Sequence, residues 1–188
     1  SPNKEWVYDA IKYAASKDVL IVNAAGNDGK NIDVEKTFPN DAPDLKTEIS
    51  DNVLTIGAMS ANYNENLPAN FSNYGKINVD VFAPGVQIHS TTPENGYQKF
   101  SGTSMAAPAT AGVAALIRSY YPKLSASQVK HIIMNSGTKI NLEVITPGSH
   151  SRENPNGVKV PFADLSVSGR VVNAYNALKM ADNIVNGK

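Results

Sequence analysis

A serine set among small residues is the first candidate for chemistry in this sequence. The stretch GTSMAAP, residues 102–108, places Ser104 between Thr103 and Met105, at the start of an alanine-rich run. A serine hydroxyl becomes an effective nucleophile only when a base takes its proton. At the start of a helix, free backbone N–H groups and the helix dipole favour negative charge, and acyl transfer produces such a charge on the substrate's carbonyl oxygen. The position favours a catalytic serine; the alternative is a serine that merely caps a core helix.

An asparagine after the first apolar run is the second candidate. VLIVNAA, residues 19–25, is typical of a buried strand, and Gly26-Asn27 ends it in a turn. A side-chain amide donates a hydrogen bond to an oxyanion without adding charge, so Asn27 is suited to hold one. The alternative is a turn residue before Asp28-Gly29.

The composition limits the class of protein. The chain has 188 residues, of which 41% are hydrophobic, and it carries 17 basic and 17 acidic residues. This balance indicates no basic surface for nucleic acid or for an anionic membrane, and no apolar run reaches the roughly 18 residues that span a bilayer. The absence of cysteine excludes disulfides and thiolate zinc sites.

Strands and helices alternate along the chain, and this predicts an α/β fold with a parallel sheet flanked by helices. Periodicity, caps and turns place the elements as follows: a helix over 2–16 opened by Ser1-Pro2, strands over 19–25, 52–58 and 79–84, an edge strand over 86–92, a helix over 104–120, a helix from the capping box Ser125–Gln128 to Gly137, and a last helix capped by Asn173. The 104–120 helix is apolar on nearly every side, which predicts that it is buried all round. Residues 141–168 are polar and aperiodic, which predicts a long loop insertion.

In their order along the chain, these segments resemble the subtilisin-like serine proteases, or subtilases. FSGTSMAAPATAGVAALI resembles the family's nucleophile segment, AAGNDG its segment with the oxyanion-hole asparagine, and VFAPG the turn between them. LSASQVKHIIMNSG and GRVVNAYNAL resemble its two closing helices. The resemblance implies a three-layer sandwich, polypeptide substrates and a secreted or cell-envelope location.

The same resemblance assigns roles to individual residues. It implies that Ser104 is the nucleophile and that the Asn27 amide and the Ser104 backbone N–H hold the oxyanion. It places Thr103 at the substrate, residues 37–40 in a pocket wall, and three strand-end residues beside the pocket for the side chain that precedes the cleaved bond, namely Ala24, Ala25 and Gly26. The alternative for those three is a buried strand tip.

The two other members of a catalytic triad are missing from the expected places. In subtilisin the chain order is aspartate, histidine, serine. The resemblance would place the first two in D-S-G or D-T-G and in H-G-T-H, and neither motif occurs here. None of His89, His131 and His150 is followed by glycine, and surface positions are favoured for all three.

We therefore expect residues 1–188 to be the C-terminal portion of a peptidase domain, incomplete on its N-terminal side. The triad aspartate and histidine would lie upstream, and the chain alone would be inactive. The upstream part of the domain is the expected partner, and an open sheet edge or face would favour self-association.

Two rival hypotheses remain open. One is a non-catalytic binding or scaffold protein that keeps the fold, although a scaffold needs neither Ser104 nor Asn27. The other is a hydrolase completed by one of the chain's own histidines, which the positions of His89 and His131 relative to Ser104 would test.

No cofactor is required by the proposed chemistry, and no metal site is predicted. Structural calcium is possible because Asp28, Asn31 and Asp33 offer side-chain oxygens in one loop. These residues lack the spacing of an EF-hand, so a solvated loop is favoured.

Overall fold

The fold is defined by a computed structural model that describes residues 3–187. The predicted cap at Ser1-Pro2 lies outside the described residues. Within them lie four α-helices and nine strands, in the order α1 (Lys4–Ser16), β1 (Ile21–Ala24), β2 (Val53–Met59), β3 (Val81–Pro84), β4 (Ile88–Thr92), β5 (Gly96–Phe100), α2 (Thr103–Tyr120), α3 (Ala126–Ser136), β6 (Thr138–Lys139), β7 (Glu143–Ile145), β8 (Lys159–Pro161), a 3₁₀ turn (Phe162–Asp164), β9 (Arg170–Val171) and α4 (Ala174–Asn186).

A central sheet of five strands has the order β1-β2-β3-β9-β6. Its first four strands run parallel, and only β6 is antiparallel to its neighbour. Residues 53–58 of β2 are buried, as expected for a parallel strand covered on both faces. The predicted α/β class and the three main strands are confirmed.

Helices cover both faces of this sheet and make three layers. Leu54 and Ile56 of β2 belong to the core formed with α2, α3 and α4. Val53 points to the opposite face, because successive strand residues alternate, and there it contacts Tyr8 and Ile11 of α1. Helix α1 thus lies on one face of the central sheet, and the other three helices lie on its opposite face.

One prediction about α2 is wrong. Its buried side packs on the sheet, but its other side is solvent-exposed and forms a surface that we call the open face: Ser104, Pro108, Ala109, Gly112, Ala115 and Leu116. Small apolar residues of α2 occupy nearly every side of the helix, so its composition does not show which side packs on the sheet. The neighbouring strand β1 is the outermost strand of the sheet and is only half-buried.

The helix caps agree with the sequence patterns. Ser125 and Gln128 form the predicted capping box at α3, with each side chain bonded to the other residue's backbone N–H. The Asn173 side chain accepts a hydrogen bond from the Asn176 N–H at 2.9 Å and caps α4. Among residues 3–187, no helix combines the length and hydropathy needed to cross a membrane.

Two hairpins lie outside the central sheet. The predicted edge strand exists as β4, but it pairs with β5 instead of the sheet. The segment predicted as a loop, 141–168, contains the hairpin β7–β8, and its Val144 and Phe162 are buried. Strands of three residues are too short to show a period, so the sequence pattern missed them. That the segment is an insertion stays a prediction.

Candidate active site

The candidate residues gather at the carboxyl ends of the parallel strands, where ligands of such sheets usually bind. Asn27 follows β1, and Ser104 lies in the first turn of α2. The turn after β3 joins them to the sheet: the Gly85 N–H donates to the Met59 carbonyl at 3.0 Å, and the Gly102 N–H donates to the Gly85 carbonyl at 2.8 Å. The start of α2 is therefore fixed relative to the strand ends.

Asn27 is held in one orientation by Thr103. Its Oδ1 accepts hydrogen bonds from the Thr103 backbone N–H and from the Thr103 hydroxyl, both at 2.9 Å. The Thr103 hydroxyl oxygen accepts in turn from the Gly26 N–H at 3.1 Å. Because both bonds go to the amide oxygen, the NH₂ end of Asn27 is left to donate elsewhere.

Two donors border one small volume beside Gly102. A Cβ atom at Gly102 would lie 3.4 Å from Asn27 Nδ2 and 3.7 Å from the Ser104 backbone nitrogen. The first-turn N–H groups of a helix have no acceptor within the helix, so the Ser104 N–H is available for a ligand. Glycine at 102 keeps this volume open. The arrangement is able to donate two hydrogen bonds to an oxygen that gains charge next to the exposed Ser104.

Asn73 is a site residue that the sequence did not reveal. It is fully buried, and its Oδ1 accepts from the N–H groups of Asp28 at 3.1 Å and Lys30 at 3.0 Å. Its Nδ2 donates to the Ala25 carbonyl at 2.9 Å, and its N–H donates to the Gly26 carbonyl at 2.9 Å. Asn73 thus bonds the loop on both sides of Asn27. No local pattern marks it, because its partners lie 43–48 residues away.

A cavity of about 330 Å³ lies beside this loop. Residues 37–40 line it on one side, and three strand-end residues line it on another: Ala24, Ala25 and Gly26. That it receives a substrate side chain stays a prediction. Gly26 has a φ of +101°, and a Cβ there would overlap Asn73 Nδ2, so glycine is required at this position. Thr103, by contrast, is fully buried beneath Asn27.

The three histidines have their ring contacts elsewhere. The His131 Nε2 lies 2.9 Å from Asp51 Oδ2 on the outside of α3. The His150 Nδ1 lies 3.0 Å from the Pro155 carbonyl oxygen, and the His89 ring lies 5.7 Å from the Tyr97 ring in the β4–β5 hairpin. None of these contacts involves Ser104, which counts against a hydrolase completed by its own histidine.

The carboxyl groups with strongly raised pKa values are not in contact with Ser104. Burial raises the pKa of Asp41 to about 6 and that of Asp80 to about 7, although the nearby Lys130 ammonium opposes both shifts. Asp80 precedes β3 and so lies at the strand end opposite to the Ser104 site. These groups belong to a different cluster, around Lys130.

The loop oxygens considered for calcium are partly occupied within the protein. Asp33 Oδ1 accepts from the Asn78 N–H and from Asn78 Nδ2, and Asp33 Oδ2 accepts from the Ile77 N–H, each at 3.0 Å. In residues 3–187 no group of three or more His, Asp or Glu side chains is arranged to hold a metal ion. That this loop is solvated and holds no metal stays a prediction.

Sequence comparison places the chain among known peptidases. A family model described as the subtilase family matches residues 1–162. Subtilisin DY of Bacillus licheniformis is 40% identical over 131 residues, which cover 70% of this chain and 44% of that protein. Thermitase of Thermoactinomyces vulgaris is 40% identical over 132 residues, which cover 70% of this chain and 41% of that protein. The matched region thus spans less than half the length of either relative.

Solved structures agree with this placement. The prenylagaramide maturation protease PagA aligns with a TM-score of 0.65 at 27% identity, over 93% of this chain and 55% of that one. A protease of Pseudoalteromonas arctica aligns with a TM-score of 0.65 at 26% identity, over 93% of this chain and 46% of that one. By its sequence, its three-layer fold and the arrangement at its strand ends, the chain belongs to the subtilase family.

Proposed function

We propose that this chain is the serine-bearing part of a serine endopeptidase. Ser104 is the nucleophile, and the Asn27 amide and the Ser104 backbone N–H form the oxyanion hole. The observation that carries the proposal is the approach of Asn27 Nδ2 and the Ser104 nitrogen to the one open volume beside Gly102.

The reaction follows from the groups at this volume. A base removes the Ser104 proton as Oγ attacks the carbonyl carbon of the peptide bond, and the carbonyl oxygen becomes an anion between the two donors. Collapse of the tetrahedral intermediate breaks the C–N bond, and the base returns the proton to the leaving amine. Water, deprotonated by the same base, then hydrolyses the ester on Ser104 and restores the hydroxyl.

Substrate recognition involves the cavity beside Asn27. The side chain that precedes the cleaved bond enters it between the end of β1 and residues 37–40. Ala24, Ala25 and Gly26 leave it room. Thr103 acts as a positioning residue, because it is buried and bonds the amide oxygen of Asn27.

The catalytic histidine and aspartate are supplied by an upstream part of the same catalytic domain. Two observations support this proposal. The histidines of this chain have ring contacts away from Ser104. The open face of α2 begins at Ser104 itself, so an element that covered this face would bring its side chains next to the nucleophile.

The chemistry needs no cofactor, since the nucleophile, the base and the oxyanion donors are all protein groups. Calcium would have a structural role only. Polypeptides are the proposed substrates, and a secreted or cell-envelope location is proposed from the family resemblance.

The rival function is a binding or scaffold protein that keeps the subtilase fold. The contacts of the three histidines favour it, because none of those contacts involves Ser104. The intact donor pair opposes it.

A serine-directed fluorophosphonate probe separates the two functions. In the complete protein, with its upstream part, the probe should label Ser104, and Ser104→Ala should abolish both labelling and peptide cleavage. Ser101→Ala is the matched control, because Ser101 lies three residues earlier and its hydroxyl oxygen accepts a hydrogen bond from the Gln87 N–H at 2.9 Å. Absence of labelling in the folded parent protein would support the scaffold.

A further inference from the structure

A fully buried lysine lies on α3. Lys130 has no solvent-exposed surface, although lysine is among the residues least often buried. An ammonium group loses much solvation energy on burial unless carboxylates surround it. The carboxylates around Lys130 therefore indicate which part of the structure its charge stabilises.

The carboxylates around Lys130 come mainly from the irregular segment before β2. Its Nζ lies 2.5 Å from Glu48 Oε2 and 3.6 Å from Asp51 Oδ1. Asp80, which precedes β3, accepts a hydrogen bond from the Thr55 N–H at 2.6 Å. Burial acts to lower the pKa of Lys130, but the charges of Asp80, Glu48 and Asp41 raise it above its ordinary value, so the lysine stays charged.

The same segment forms a wall of the substrate cavity. Residues 37–40 line the cavity, and the buried Asp41 follows directly. We call residues 37–51 the wall segment. It contains no helix or strand, so regular backbone hydrogen bonds do not hold it. Two backbone hydrogen bonds lie within it, from the Ile49 N–H to the Asp41 carbonyl at 2.6 Å and from the Leu45 N–H to the Ala42 carbonyl at 3.0 Å. Its polar contacts with α3 are the ion pairs of Lys130 with Glu48 and Asp51 and the bonds of Asp51 to Ser127 and His131, and of these α3 groups Lys130 is the buried one. Apolar contacts of Phe38 and Ile49 join the segment to α1.

We propose that Lys130 is a positioning residue for substrate recognition, because it fixes the wall segment and thereby the shape of the cavity beside Asn27. This role rests on the proposed peptidase function. Lys130 does not reach the substrate. It acts through the carboxylates of Glu48, Asp51 and Asp41.

The oxyanion donors depend on a different set of contacts. Thr103 and Asn73 hold Asn27 and its loop through hydrogen bonds that involve no residue of the wall segment. Loss of the Lys130 charge should therefore weaken the binding of a substrate side chain while the chemical step continues, which separates KM from kcat.

The test uses the complete enzyme and two peptides that differ only in the residue before the cleaved bond, phenylalanine in one and alanine in the other. Lys130→Met should raise KM about tenfold for the phenylalanine peptide and less than about twofold for the alanine peptide, with kcat within about threefold. Lys130→Arg should restore KM. The control is Lys159→Met, which removes an exposed ion pair of the same 2.5 Å length and should change neither constant.

The pH dependence of KM distinguishes this role from a simple loss of stability, which would not change KM. The groups that face Lys130 and its partners are Asp41, Glu48, Asp51, Asp80 and His131. Without the lysine, Asp41 and Asp80 have no counter-ion once they ionise, and their pKa values are about 6 and about 7 even with it present. The ratio of mutant to parent KM should therefore grow from pH 6 to pH 8.5.

Several outcomes overturn the proposal. Equal KM values for Lys130→Met and parent with the phenylalanine peptide would do so, as would a loss confined to kcat. If Lys130→Met does not fold, Glu48→Gln must show the same preference for the smaller peptide, or the role is wrong. A parent enzyme that cleaves neither peptide overturns the peptidase function as well, whereas cleavage with an unchanged KM overturns the Lys130 role alone.

Discussion

The first turn of α2 and the open face two turns later differ in how many neighbours contact the helix. At its first turn, α2 is bonded to the loop after β1, and Asn27, Thr103 and Gly26 form a continuous chain of hydrogen bonds. Two turns later, on the open face, a Cβ atom at Gly112 would have no neighbour within 4 Å in the described chain. Both proposed oxyanion donors are thus held by contacts within the described residues, whereas the surface next to Ser104 is not covered by them.

The proposed mechanism therefore depends on an added segment for one function and not for the other. The contacts that hold the proposed donor pair join residues 25–104. The proposed base comes from an element that lies against the open face, and β1, a half-buried edge of the sheet, offers the adjoining backbone groups for another strand.

The strongest test of this comparison is the activity of the chain alone. We expect the purified 188-residue chain to cleave no peptide, because the ring contacts of its three histidines do not involve Ser104, the proposed nucleophile. Fluorogenic peptide assays measure this, and addition of the upstream part of the domain should restore cleavage. Cleavage by the chain alone that Ser104→Ala abolishes would show that the missing-base hypothesis is wrong.

The next largest effect concerns the donor itself. In the complete enzyme, Asn27→Leu should lower kcat by about two to three powers of ten with KM nearly unchanged, because the donor acts most strongly on the transition state. This magnitude is the known effect of removing such a donor from subtilisin and is carried over by resemblance.

The control for Asn27→Leu is a melting temperature within a few degrees of the parent, since no core volume is lost. A KM that rises while kcat holds would make Asn27 a binding or turn residue.

A smaller effect is expected from the residue that holds the donor's loop. Asn73→Ala should lower kcat about tenfold, because Asn27 is displaced and not removed. It should also cost about 2 kcal/mol in the free energy of unfolding, since the N–H groups of Asp28 and Lys30 lose a buried acceptor. Urea denaturation and steady-state kinetics measure the two effects. The control is Asn70→Ala, an exposed neighbour whose side chain accepts one bond from the Gly148 N–H.

The smallest effect concerns the open face. The 188-residue chain should self-associate through this surface, and Leu116→Lys should weaken the association while changing the free energy of unfolding by less than about 0.5 kcal/mol. Sedimentation velocity compares the two. Tyr175→Lys on α4 is the control, because Tyr175 is 72% exposed and lies outside the open face. A parent chain that is monomeric at every concentration tested would show that the open face does not drive self-association.

Local patterns accounted for much of the fold. Apolar runs located the three main strands, and the capping box located the start of α3, because both signals depend on neighbouring residues. Because these signals depend only on neighbouring residues, two features of the fold were predicted wrongly. The strands β7 and β8 are too short for a period, and the uniform small residues of α2 hide which side is buried.

Ser104 and Asn27 were found from the sequence, since each lies in a short motif whose chemistry is visible in the residue types. Asn73 and Lys130 were not, because an asparagine in a loop and a lysine on a helix look like surface residues until their partners are known. The partners of Asn73 lie 43–48 residues away, and Glu48 lies 82 residues from Lys130. The proposed nucleophile, the proposed donor and the order of the main elements follow from short stretches of sequence, because these are local properties. The contacts of the donor's loop, the contacts of the wall segment and the exposed face of α2 follow from the tertiary structure, because hydrogen bonding and burial depend on which distant segments meet.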